Sequence, residues 1–213
     1  MKKDPVKFAR RVSTAAVVGL LTLGLTACGE NAEDEAASPA PTPTAGGSTA
    51  GPDSPVDQAH NGADTEFARM MIVHHEGAIE MADLAIGNAN TNEVRTLAED
   101  ISAAQEPEIE EMTSWLQAWG EATAPEHGGM DHGGMQMDGM SQEEAMAELG
   151  SLSAEEFDQR FLELMIEHHL GAVEMAQGEL ENGENPQALE LAEQIIEAQQ
   201  AEVSEMEQML QEL

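Results

Sequence analysis

Two histidine pairs, His74-His75 and His168-His169, are the side chains of this sequence best suited to chemistry, and each stands in the same setting. Phe67–Ala82 reads FARMMIVHHEGAIEMA and Phe161–Ala176 reads FLELMIEHHLGAVEMA, so His-His-x-Gly-Ala-x-Glu-Met-Ala occurs twice, 94 residues apart. Met71 and Met165 precede the pairs by three residues, and Met81 and Met175 follow them. Imidazole and thioether in one apolar setting is a ligand set for copper, with thioether favouring Cu(I), though another transition metal is possible. Packing is the competing explanation. Methionine in a helical stripe is ordinary core filler, and a lone buried histidine needs only hydrogen-bond partners for its ring. Adjacent histidines, repeated with methionine at the same spacing, are harder to explain that way. Gly77 and Gly171, just after each pair, point to close helix approach, since mid-helix glycine costs about 1 kcal/mol. Glu80 and Glu174 fall on the opposite face and read as solvated surface.

A second set of soft donors lies between the copies, in His127-Gly-Gly-Met130-Asp-His132-Gly-Gly-Met135-Gln-Met137-Asp-Gly-Met140. Glycine at this density prevents a packed helix. Such a loop could wrap a copper ion or pass it on by ligand exchange; otherwise it is a flexible, oxidisable linker. It is similar to the Met/His-rich segments of bacterial periplasmic copper-resistance proteins.

The elements that must position these residues are helices. Identities continue beyond the motif without a gap, from Leu97-Ala98-Glu99 against Leu191-Ala192-Glu193 to Met112 against Met206, so a unit of about fifty residues is duplicated. Phe67, Met71, His74, His75, Ala78, Met81 and Ala85 follow the i, i+3, i+4, i+7 rhythm of an amphipathic helix, capped by Asp64 or Thr65. A second helix over Val94, Leu97, Ile101, Ala104, Met112 and Trp115 runs to about Trp119, with Pro107 expected to kink or interrupt it. Ser141-Gln-Glu-Glu144 predicts a capping box for a short helix, and Ser153-Ala-Glu-Glu156 another. Asn185-Pro186 opens the last helix. The resulting expectation is all-α: an antiparallel four-helix bundle of two duplicated helical hairpins. Its parts are hairpin 1 at 63–120, a Met/His/Gly-rich loop at 121–140, a short helix at 141–150 and hairpin 2 at 153–213. Folding each hairpin at its turn sets His74 and His75 level with Ala104–Gln105, Met71 level with Glu108, and Met112 one turn beyond. The second copy likewise joins His168, His169, Met165 and Met175 to Gln199, Glu202 and Met206. Glu108 and Glu202 are then placed to orient a histidine or to bind metal themselves.

The N-terminus specifies a compartment. Lys2, Lys3, Lys7, Arg10 and Arg11 precede an apolar run over 15–25, shorter than the roughly 20 residues of a membrane span, and Leu25-Thr26-Ala27-Cys28 follows. This is a secretory signal over 1–28, and Leu-Thr-Ala-Cys resembles the bacterial lipobox, which makes Cys28 the lipidated first residue of an extracytoplasmic protein anchored to the membrane. Cys28 is the only cysteine, so no disulfide forms within the chain. Residues 29–62, rich in Ala, Ser, Thr, Pro, Gly and acid, read as a flexible tether. The formal net charge is −34, and beyond the signal the basic residues are Arg69, Arg95 and Arg160. Such a surface repels nucleic acid and attracts cations; solubility or salt tolerance would also account for it. No nucleophile arrangement or phosphate loop is visible.

The doubled M-x-x-H-H-x-G-A-x-x-M-A motif resembles the bacterial family known as domain of unknown function 305, over the chain from about Asp64 to the C-terminus. The resemblance implies a ferritin-like four-helix fold and, from some members, periplasmic copper binding and tolerance. It makes Met71, His74, His75, Met81, Met165, His168, His169 and Met175 the family's motif positions here. The favoured expectation is a copper buffer or chaperone, not an enzyme, with an unidentified protein receiving the ion. Two alternatives stand: a ferritin-like di-iron or di-manganese redox enzyme, although no Glu-x-x-His occurs, and a structural or interaction module whose histidines only pack.

Overall fold

A computed structural model of the chain describes residues 56–123 and 139–213. The signal, Cys28, the tether up to residue 55, and His127, Met130, His132, Met135 and Met137 lie outside the described residues.

Apolar side chains at helical spacing produce five helices: α1 (Gly62–Asn88), α2 (Asn92–Trp119), α3 (Gln142–Ser151), α4 (Ala154–Asn182) and α5 (Pro186–Glu212). Among the described residues none of them is long and apolar enough to cross a membrane. Helices α1 and α2 form one hairpin and α4 and α5 the other; α1 packs on α4 as the seam between them, and α3 touches both seam helices. The all-α bundle of duplicated hairpins is therefore the observed fold.

Several local expectations change. The N-cap of α1 is Asn61, whose side chain accepts from the Ala63 and Asp64 amides while Asp64 accepts from the Asn61 amide at 2.6 Å, a capping box set three residues earlier than Asp64. Helix α2 runs through Pro107 without a break. Ser141 caps α3 as expected, but Ser153 makes no side-chain cap to α4. There the chain enters the helix through Ala154 at φ 55°, a left-handed conformation. Finally, residues 56–61 are docked rather than tethered, which shortens the segment read as 29–62. Trp119 Nε1 and Asn185 Nδ2 both donate to the Asp57 carbonyl, and the ring of His60 stacks on Trp119 with centroids 4.5 Å apart.

The two hairpins are fastened by a reciprocal pair of buried aspartates, again 94 residues apart. Asp158 on α4 accepts from the amides of Asn90 and Thr91 in the α1–α2 turn, each at 2.8 Å, and from the Thr91 hydroxyl at 2.9 Å. Asp64 on α1 accepts from the amides of Glu184 and Asn185 in the α4–α5 turn, at 3.0 and 2.8 Å. Each hairpin thus satisfies the free backbone donors of the other's turn. The offset of these aspartates was the available signal, because the repeat extends upstream of the motif.

The apolar interior divides into two clusters. One holds Ala78, Met81, Leu97, Ile101, Phe157, Phe161, Met165 and Met206, and the other Phe67, Met71, Met112, Trp115, Ala172, Leu191 and Ile195. Along every long helix a polar stretch separates the two: His74 and His75 on α1, Gln105 and Glu108 on α2, His168 and His169 on α4, Gln199 and Glu202 on α5.

Candidate metal centre

All four motif histidines are buried in that dividing layer. The rings of His74 and His168, from the two seam helices, meet with centroids 3.7 Å apart at an angle of 48°. His75 and His169 turn outward to their own hairpins, where Nε2 lies 2.6 Å from Glu108 Oε2 and 2.7 Å from Glu202 Oε2. A carboxylate can only accept, so in each pair Nε2 carries the hydrogen. The simple turn count sets His75 opposite Ala104–Gln105, yet it reaches Glu108. The reason is that Cα–Cβ bonds tilt toward the N-terminus of their helix, so in an antiparallel pair both side chains lean toward the same level.

Among the described residues, burial leaves several polar atoms without a hydrogen-bond partner: Nδ1 of His75, His168 and His169, and Oε1 of Gln105 and Gln199. Burial, with His74, His169 and His75 close by, pushes the His168 imidazole well below its usual pKa, so it stays neutral. Neutral imidazoles with unshared lone pairs are metal donors, and an Nε2–H fixed by a carboxylate is the arrangement that orients a ligating histidine.

The methionines divide across the histidine layer. Met71 and Met112 belong to one apolar cluster, with Met175 packed against it, whereas Met165 and Met206 share the other with Met81. Met71 and Met165 adjoin the imidazole layer one turn from His74 and His168, and Met112 and Met206 lie one turn from Glu108 and Glu202. Met81 and Met175 are six to seven residues from the histidines of their own helices, about 10 Å along the axis, so the fold does not bring them into the layer. Met140 is half-buried against the first cluster, two residues before Gln142 at the start of α3. Among the described residues no three His, Cys, Asp or Glu side chains form a metal-holding group.

Gly77 stands at a tight approach between helices. A Cβ there would stand 3.2 Å from Gln142 Oε1 and 3.4 Å from His168 Nε2, the close approach its place after the histidine pair suggests.

Solved structures share this fold. A candidate secreted DUF305 protein from Streptomyces coelicolor is 35% identical, the match covering 70% of this chain and 91% of that one with a TM-score of 0.64. CopM in its Cu(II)-bound form is 36% identical over 70% of this chain and 96% of that one, TM-score 0.60. In its Cu(I)-bound form CopM is 35% identical over the same shares, TM-score 0.58. No curated protein matches the chain. The sequence profile described as "Domain of unknown function (DUF305)" matches residues 64–210, from the aspartate that closes the second hairpin's turn to the last turns of α5, and the chain belongs to that family.

Proposed function

We propose that this protein binds copper on the extracytoplasmic side of the membrane and buffers it or hands it on, without catalysing a reaction. The observation that carries this reading is the buried layer in which three imidazole Nδ1 atoms lack partners among the described residues while two carboxylates fix the orientation of His75 and His169. Neutral imidazole serves either oxidation state of copper, and the thioethers of Met71, Met112, Met165 and Met206 favour Cu(I). CopM, similar over the same domain, is known in both copper-bound forms. The donors His127, Met130, His132, Met135, Met137 and Met140 give the ion a second set of ligands, suited to exchange with a copper-receiving protein. Lipidation at Cys28 would hold the domain at the membrane, and the candidate secreted relative supports an extracytoplasmic location.

Anaerobic Cu(I) titration of the protein tests the site. Changing His74, His75, His168 and His169 together to alanine should abolish tight binding of at least one equivalent; an unaltered titration would remove the layer from the reading. Met71→Leu with Met165→Leu keeps the volume, costs less than about 1.5 kcal/mol, and should weaken Cu(I) more than Cu(II). Stoichiometric iron or manganese in the purified protein, with activity on peroxide or oxygen, would instead favour the redox enzyme.

A further inference from the structure

Gln105 is the one polar residue among the buried positions of α2, and Gln199, 94 residues later, is the one among those of α5. Each stands one turn before the glutamate that braces a histidine, on the same helical face. The glutamates are used, Glu108 by His75 at 2.6 Å and Glu202 by His169 at 2.7 Å. The glutamines are not. Gln105 is 2% exposed and Gln199 3%, and Oε1 of each lacks a hydrogen-bond partner among the described residues. A buried acceptor left without a donor is destabilising, whereas an apolar side chain of similar size in its place can be neutral. Packing therefore does not account for an amide at this place in both hairpins. An amide oxygen keeps two lone pairs, and these two oxygens belong to the same layer as the four imidazoles.

We propose that the amide oxygens of Gln105 and Gln199 are metal donors of the histidine layer and suit it to Cu(II). The inference rests on the reading of the layer as a copper site. Imidazole serves either oxidation state and thioether favours Cu(I), whereas a carbonyl-type oxygen is the harder donor and favours the divalent ion. The carboxylates of Glu108 and Glu202 are engaged by His75 and His169, so the glutamines supply oxygen without disturbing that bracing. An ordered water is the other way to satisfy a buried amide oxygen. The two occupants differ in what removal of the amide does. Loss of a donor alters bound Cu(II), and loss of a water site alters only the metal-free protein.

The test is competition titration of the protein against chelators, with Cu(II) in air and with Cu(I) anaerobically. Gln105→Leu/Gln199→Leu should weaken Cu(II) about tenfold, the lower end of the loss that follows removal of a supporting group from a metal site, and leave Cu(I) unchanged. That change raises the reduction potential of the bound copper by about 59 mV, and the hyperfine splitting in the electron paramagnetic resonance spectrum of bound Cu(II) should shift with it. Gln105→Glu/Gln199→Glu keeps an oxygen at both positions and should hold Cu(II) at least as tightly as the wild type. Unchanged Cu(II) affinity and spectrum in the leucine variant would overturn the proposal, as would equal weakening of both oxidation states, the mark of a packing defect. A lowered melting temperature of the metal-free leucine variant with Cu(II) binding intact would also overturn it, by assigning the amides to buried water. If the wild type binds neither ion, the copper reading itself fails; if it binds and the leucine variant matches it, that reading stands and only the glutamines are removed from it. Should the double variant lose its fold by circular dichroism, Gln105→Leu and Gln199→Leu singly decide by the same comparison.

Discussion

His74 and His168 meet ring to ring across the seam of the bundle, their centroids 3.7 Å apart. The two copies of the motif therefore converge on one layer, while His75 and His169 are held back, each by a glutamate of its own hairpin. That division of labour, one histidine of each pair at the centre and one braced at the flank, makes the glutamates testable.

Glu108→Gln and Glu202→Gln keep the size of the side chain but remove the charge that fixes the Nε2–H of His75 and His169. Each should weaken copper binding 10–100-fold, about the loss seen when a carboxylate behind a ligating histidine is removed. Competition titration against a chelator measures it, and unchanged affinity in both variants would mean that these histidines only pack.

Asp158→Ala strands the amides of Asn90 and Thr91, and Asp64→Ala those of Glu184 and Asn185. Loss of charge-assisted hydrogen bonds to a buried carboxylate should cost about 3 kcal/mol in either variant, roughly 10 °C in Tm. Thermal unfolding checks this, and a loss under 1 °C would show the turns to be held by other means.

Glu179 supplies a pH dependence that the first hairpin lacks, because its duplicate position is Ala85. Burial, and then the neighbouring Asp64, push Glu179 up to about 8. For Asp64 burial acts upward too, but hydrogen bonds from the Asn185, Asn61 and Glu184 backbone and from Glu179 outweigh it and hold the carboxyl below its usual value. Both oxygens of Glu179 are buried and lack a hydrogen bond of ordinary geometry among the described residues, so burial favours the neutral carboxylic acid. Since its folded pKa lies above its unfolded value, the stabilisation is full below the unfolded pKa and is lost as pH rises through about 8. Glu179→Gln, which needs no proton to donate, should melt like the wild type near pH 4.5 and about 3 °C above it at pH 8. A gain independent of pH would refute the buried carboxyl as its source.

Ala154 enters α4 at φ 55°, a region that costs a residue with a Cβ about 1 kcal/mol. Ala154→Gly should stabilise the domain by about that amount, measured by urea denaturation; destabilisation would place the residue in ordinary helical backbone.

The repeat, the helical periodicity and the turn residues determined the fold from sequence alone, because each is a local pattern that only one arrangement of amphipathic helices can bury. Sequence also singled out His74, His75, His168 and His169, and it put Glu108 and Glu202 on the inner stripe. Which groups face one another was decided by packing. The seam of α1 on α4 brings His74 to His168, sends Met71 and Met165 into different apolar clusters, and leaves Met81 and Met175 two turns away. These are contacts between residues far apart in the chain, set by antiparallel helix levels and by the N-terminal tilt of side chains, and no spacing within one helix encodes them. Asp64 and Asp158 show the same boundary: their offset was legible, but the turn that each one closes belongs to the other hairpin.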